Sequence, residues 1–298
     1  IPKSRTSSRD AGIIPVRKRT AAGHEQVYLV RPEDLRPKVQ VAMKAAKKGG
    51  DSSWGFTEEA IGSWKALVSE FGGDGARAEV LLDAWSHSST HPKAIGLRGA
   101  AVALVTEDAA ERARMLAEDA DDVVTLQTQM SAERRREALD KVTKPGSSQL
   151  DRMIADKVQD HEESATASMQ EGLEKDASTL AALSALSQSM YDTPEVTVYR
   201  GIFGKQAEEV QRRLDAGDTE VTLDVGSVTS FSESRAQAAK FARGGGLLIQ
   251  QAVPRSSIAF SHRAIPHLDP KRVLGGQEVA VLTKGSMRIS RADIHAGF

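Results

Sequence analysis

The sequence predicts an α+β protein, with helices first and a mostly antiparallel sheet second. Three observations carry this expectation. From about residue 33 to 190, apolar residues recur at three- and four-residue steps, the period of a helix with one buried face. From 195 onward they fall into short alternating runs bounded by turn residues. Only two helical stretches interrupt those runs, too few for a parallel sheet made of strand–helix–strand units.

The 298 residues suffice for one large domain or two ordinary ones, and 40% hydrophobic with 27% charged residues suits a globular chain. Aromatic residues are only 4%, so the core is expected to be built of Ala, Leu, Val and Ile. No run approaches the roughly 18 apolar residues of a membrane span. A net charge of −1 singles out no nucleic-acid or acidic partner. The chain has no cysteine, which excludes disulfides, cysteine-ligated zinc and cysteine nucleophiles and fits a cytosolic setting.

Residues 1–22 are basic, small and poorly periodic, and read as a mobile arm whose Lys3, Arg5, Arg9, Arg17, Lys18 and Arg19 are available to an acidic or phosphate-rich surface. Residues 23–145 read as a helical N-terminal region. Within it, 57–71 place Ala60, Ile61, Trp64, Leu67, Val68 and Phe71 on one face, and Gly72-Gly73 stop the helix. Residues 77–85 continue in the same style, and 93–117 and 119–141 read as two further helices. KPGSS at 144–148 is a break, placed as the boundary of a C-terminal domain, 146–298. Leu150, Met153, Ile154 and Val158 then mark one side of another helix, and Leu180, Leu183, Leu186 and Met190 the last before the sheet. EVTVYRG is the first strand of that sheet, and VTLDV, GLLIQQAV, SIAF, EVAVLT and SMRIS are others. Between them lie a helix closed by Gly217 and a second capped by Ser232 or Ser234.

Several motifs read as structural. FGGDGARAE follows a helix rather than a strand, so its glycines are a stop and not a dinucleotide fingerprint. RGGGLLI lacks the Lys-Ser/Thr of a phosphate-cradling loop. His87 and His91 are separated from a common helix by Pro92, and HEES at 161 lacks a second His, so surface or capping roles are expected and no metal site. MSAERRREALD reads as a solvated helix face.

Three pieces of the sheet region stand apart: Tyr199-Arg200-Gly201 ending the first strand, Thr229-Ser230-Phe231-Ser232 leading into a helix with Ala238 and Phe241, and Gly276-Gln277-Glu278 opening a later strand. In this order and spacing, residues 150–298 resemble the mono-ADP-ribosyltransferases of the Arg-Ser-Glu, toxin-like class. The resemblance implies a split, mostly antiparallel sheet with flanking helices, and NAD as substrate. It casts Glu278, Ser230 and Arg200 as catalytic, and Arg200, Gly201, Ser230, Phe231, Ser232, Phe241 and Gln277 as lining the NAD site.

The chemistry agrees. A pyrophosphate suits the planar, permanently charged fork of Arg200, and Gly201 lets backbone approach a nicotinamide amide. Breaking the ribose–nicotinamide bond passes through an oxocarbenium-like state, which the Glu278 carboxylate would stabilise while a Ser230 hydroxyl holds it in place. Phe231, Phe241 and Tyr199 read as core, with one of them available to stack on nicotinamide.

Arginine-modifying members of the class carry a second carboxylate two residues before the catalytic Glu; here that position is Gly276, and Gln277 falls one residue late. Acceptor choice is therefore open. A protein acceptor makes the chain a transferase; water makes it an NAD glycohydrolase; Asp269 in the preceding loop is a further acceptor-side carboxylate. Action in the cytoplasm of the producing or a target cell is implied, with delivery as a secreted effector or phage-borne toxin. The alternative is a structural or interaction protein of a phage particle (virion) or secretion complex, assembling through its helical region and carrying an inactive or NAD-glycohydrolase transferase-like module.

Overall fold

The computed structural model describes residues 14–19, 25–47, 58–87, 91–144, 146–242, 244–265 and 277–296. It opens with a hairpin: β1 (Ile14–Arg19) pairs antiparallel with β2 (Glu25–Val30), Ile14 opposite Val30 and Arg19 opposite Glu25. This corrects two expectations. The end of the 1–22 arm is a strand, and the helical region starts at Pro32 rather than at 23. Ile14 and Val16 alternate with other residues in IPVRKR, whose Arg and Lys mask the strand, and EQVYLV is a short apolar, β-branched and aromatic run.

Helices α1 (Pro32–Lys47), α2 (Glu58–Glu70) and α3 (Gly75–His87) follow. Ile61, Trp64, Leu67 and Val68 of α2, and Phe71 just after it, are buried along the predicted face. The two helices expected over 93–141 are three: α4 (Pro92–Val105), α5 (Ala109–Thr128) and α6 (Ala132–Val142). Local chemistry sets the breaks. Asp108 accepts from the Glu111 amide at 2.7 Å to start α5. Gln129, left-handed at φ 54°, ends it, and Ser131 caps α6. His91 caps α4 ahead of Pro92, its Nδ1 accepting from the Lys93 amide at 3.2 Å.

Helix α7 (Gln149–Lys175) begins on a Ser148–Asp151 capping box, and α8 (Ala177–Gln188) follows directly. On α7 only Val158 of the four expected apolar residues is buried. Leu150, Met153 and Ile154 are exposed, at 64%, 62% and 37%, while Ala155, Ala165 and Met169 form the packed side. The charged run of α6 is not wholly solvated either. Arg135 is buried, donating to Thr125 Oγ1 at 2.7 Å and the Met130 carbonyl at 2.8 Å and pairing with Asp121 and Glu162.

The sheet region comprises β3 (Glu195–Ile202), α9 (Gly204–Asp215), β4 (Glu220–Asp224), β5 (Val228–Ser232), α10 (Arg235–Phe241), β6 (Leu247–Pro254), β7 (Ile258–Ser261), β8 (Glu278–Leu282), β9 (Ser286–Ser290) and a short β10 (Ile294–Ala296). Six strands run in the order β10-β6-β3-β5-β8-β7, β4 and β9 form a separate pair, and every pairing is antiparallel. The architecture is therefore α+β, as expected. Strand β7 lies at an edge, where unpaired backbone groups need partners. Helix α8 supplies them: Ser187 Oγ accepts from the Ser261 amide at 3.0 Å, and Ser184 Oγ donates to the Ile258 carbonyl at 2.6 Å.

The predicted boundary near 145 does not divide the packing. One apolar core joins Leu35, Trp64, Leu81 and Leu97 from the helices before it to Leu183, Phe260 and Ala280 from the elements after it, and α7 packs on α4, α5 and α6. A helix buried on several sides, such as α8, cannot belong to one half alone. Smaller cores lie between β4–β9, α9 and β6, and on the far face of the sheet around Val198, Phe231 and Val279.

Candidate functional site

Glu278 opens β8 opposite Ser232 of β5, with Ala280 opposite Ser230. Cross-strand partners and residues two apart share a face, so Ser230, Ser232 and Glu278 project from the same side of the sheet. Ser230 Oγ donates to Glu278 Oε1 at 2.5 Å, the short geometry of a hydroxyl bonded to a carboxylate. Gln277, just before, sits in the left-handed region at φ 42°, which is uncommon outside glycine, and its carbonyl accepts from the Glu233 amide at 3.0 Å. The side chain of Glu278 is thus held by Ser230, and the backbone just before it by Glu233.

Arg200 lies where β3 and β5 meet. Those strands share a single register pair, Tyr199 with Ser232, whereas β3 pairs with β6 along all of 195–202. The Arg200 guanidinium donates from Nη1 to the Ser230 carbonyl at 2.7 Å and stands over the Phe231 ring at 5.9 Å. Its Nε is enclosed and has no partner among the described residues. Burial, with a smaller contribution from the nearby charge of Arg98, lowers the Arg200 pKa to about 10, so the group remains a cation at neutral pH. A half-buried cation with unspent donors and no carboxylate bonded to it among the described residues suits an anionic ligand.

The remaining predicted residues divide. Ser232 is buried, its Oγ accepting from the Ser234 amide at 3.0 Å, and Ser234 is the N-cap of α10. Phe231 is core, as its sequence reading had it, rather than an open lining residue: only 4% exposed, it faces the core of Tyr191, Val198 and Val279, opposite to Ser230, because adjacent strand residues alternate. Its ring lies 5.9 Å from the Arg200 guanidinium carbon, and at this burial it offers no open face for a ligand to stack on. Phe241, read as core, is 51% exposed, while Tyr199 packs with Ala238, Ala242 and Leu248. A side chain at Gly201 would meet the Ala238 carbonyl oxygen at 2.2 Å and the Ala242 nitrogen at 2.7 Å, so the docking of α10 alone accounts for glycine there. Gly276 and Asp269 lie outside the described residues.

Sequence reasoning missed Trp85. At the end of α3, its indole Nε1 donates to Glu278 Oε1 at 2.9 Å, and its ring meets Phe260 edge-on at 5.5 Å. The only sequence signal is an aromatic residue followed at once by the polar run SHSST. A second buried polar group joins α4 and α5 to the sheet: both Asp119 carboxylate oxygens accept from the Ser227 amide at 3.0 Å, and Ser227 Oγ donates to the Arg98 carbonyl at 2.9 Å. Burial raises the Asp119 pKa against these bonds and the attraction of Arg98. A cleft of about 280 Å³ opens elsewhere, between α6 and the start of α7, lined by Met130, Ala138, Ile154, Arg134, Glu137 and Lys141.

Among the described residues no cluster of three or more acidic or histidine side chains could hold a metal, and no helix is long and apolar enough to cross a membrane. Comparison with family models, with curated proteins and with solved structures finds no match to this chain.

Proposed function

We propose that the protein consumes NAD as a mono-ADP-ribosyltransferase of the Arg-Ser-Glu class, with Glu278, Ser230 and Arg200 at its centre. The observation that carries this reading is the convergence of three residues separated in sequence: Ser230 bonds the Glu278 carboxylate through its hydroxyl and the Arg200 guanidinium through its carbonyl. Arg200 then holds the NAD pyrophosphate with the donors it has not spent. The bond between ribose C1′ and the nicotinamide nitrogen breaks, and its electron pair leaves with nicotinamide. Glu278 stabilises the cation that develops on the sugar, and a nucleophile completes the transfer by bonding to C1′ and losing its proton. A protein side chain in that place makes the enzyme a transferase; water makes it a glycohydrolase.

The size of the effect can be bounded. Opposite charges about 4 Å apart are worth roughly 4 kcal/mol at an effective dielectric of about 20, which is about three powers of ten in rate. Incubation with NAD labelled in the adenylate half is expected to release nicotinamide and to label a protein in a bacterial lysate. Glu278→Gln is expected to lower release about 1,000-fold while leaving the fold intact. Wild-type protein that neither binds nor cleaves NAD refutes the reading.

A second reading gives the helical elements an assembly role, on one observation: Leu150, Met153 and Ile154 project from the first turns of α7 beside the α6–α7 cleft. Sedimentation across a concentration series tests it.

A further inference from the structure

Glu278 receives two hydrogen bonds, and both fall on one oxygen. Ser230 Oγ reaches Oε1 at 2.5 Å from the sheet, and Trp85 Nε1 reaches the same Oε1 at 2.9 Å from the end of α3. Among the described residues Oε2 carries none. Two donors converging on Oε1 from different elements hold that oxygen in place and leave Oε2 free of protein donors among the described residues. The Trp85 ring is itself fixed. It packs partly against the main core and meets the fully buried Phe260 of β7, next to β8, at 88°. Helix α3 is in turn tied down: Arg77 forms a two-pronged pair with the buried Asp176 at 2.7 and 2.9 Å, and Lys65 of α2 pairs with Glu79.

We infer that Trp85 is a positioning residue for Glu278, so that the N-terminal helices complete the reaction centre rather than merely precede it. The inference rests on the NAD reading above and extends it by giving the helical elements a catalytic task. A separable transferase module beginning near residue 146 would lack one of the two donors that orient its carboxylate. Trp85 acts through Glu278, so its contribution belongs to the transition state, where Oε2 faces growing positive charge, and not to the binding of NAD.

The test is Trp85→Phe in the full chain, which keeps a six-membered ring near Phe260 and removes the indole N–H together with the rest of the pyrrole ring, with melting temperature measured beside turnover to separate lost packing from the lost hydrogen bond. A lost hydrogen bond to a carboxylate predicts a fall of about tenfold or more in kcat for nicotinamide release, with KM for NAD changed less than about twofold. Ser230→Ala and the double variant complete a cycle. Because both donors share Oε1, the losses are expected to be non-additive. Independently of turnover, the indole N–H resonance of Trp85 is expected to shift in Glu278→Gln.

An unshifted resonance overturns the contact. Nicotinamide release by Trp85→Phe within twofold of wild type overturns the positioning role while leaving the NAD reading intact. Faster release by Trp85→Phe also overturns it, showing that the indole blocks the carboxylate instead. No release by the wild type overturns the NAD reading and this assignment together.

Discussion

Replacing glycine by alanine at two helical positions should move stability in opposite directions. Helices α4 and α7 cross with their backbones nearly touching: a Cβ at Gly99 would lie 1.9 Å from the Met169 carbonyl oxygen, and one at Gly172 would lie 1.8 Å from that of Gly96. Such contacts essentially never fall below 3.0 Å, and the obstacle is backbone rather than a side chain that can turn aside. Gly99→Ala must therefore push the helices apart by at least about 1 Å. That opens the small core of Ile95, Val123, Ala165 and Met169, and overpacking of this kind costs about 1–3 kcal/mol. Gly62, exposed on α2 with nothing within 4 Å of its Cβ position, meets no such obstacle. There alanine gains its helix propensity, about 1 kcal/mol. The two variants should differ by about 2–4 kcal/mol, which at roughly 2 °C per kcal/mol for a chain of this size separates their melting temperatures by about 4 °C or more. Circular dichroism melts of wild type, Gly62→Ala and Gly99→Ala measure this directly. A Gly99→Ala protein that melts at or above wild type would refute the close crossing.

Two further expectations concern charge and surface. Burial raises the Asp119 pKa above its unfolded value despite the Ser227 amide and Arg98, with the carboxylate of Glu118 acting in the same direction. The folded state thus binds the proton more tightly, so this group's contribution to stability improves as pH falls through the raised pKa and levels off below the unfolded one. Denaturant titrations from neutral pH to about pH 4 should show wild type gaining stability relative to Asp119→Asn, and a constant difference would contradict this. If the start of α7 is an assembly surface, Leu150→Ser with Met153→Ser should abolish concentration-dependent sedimentation without lowering the melting temperature; a wild type that stays monomeric throughout rules that surface out.

Much of this architecture could be read locally. The buried face of α2, the Gly72 stop, the Pro92 break and the Ser234 cap depend on residues within about one helical turn of each other, and the structure has each of them. The hairpin at 14–30 was hidden because a basic run resembles a solvated arm when charge is weighed above alternation. Arg135 could not be separated from its charged neighbours, since Thr125, Met130 and Glu162, which take its donors, lie on other elements or in the preceding loop. The exposure of Leu150 and Met153 escaped for the mirror-image reason: a helical stripe states which residues share a side, not whether another element covers it.

The order Arg200, Ser230, Glu278 and the alternation that puts Ser230 and Ser232 on one side of their strand are properties of the chain itself, because strand period and residue type are local; that Glu278 shares this side follows from the β5–β8 register. Only the folded packing decided that Trp85, 193 residues from Glu278, joins Ser230 on the same carboxylate oxygen, and that Phe241 faces solvent. The physical reason is range: periodicity and capping act over a few residues, whereas these contacts depend on how α3 and α10 settle against the sheet.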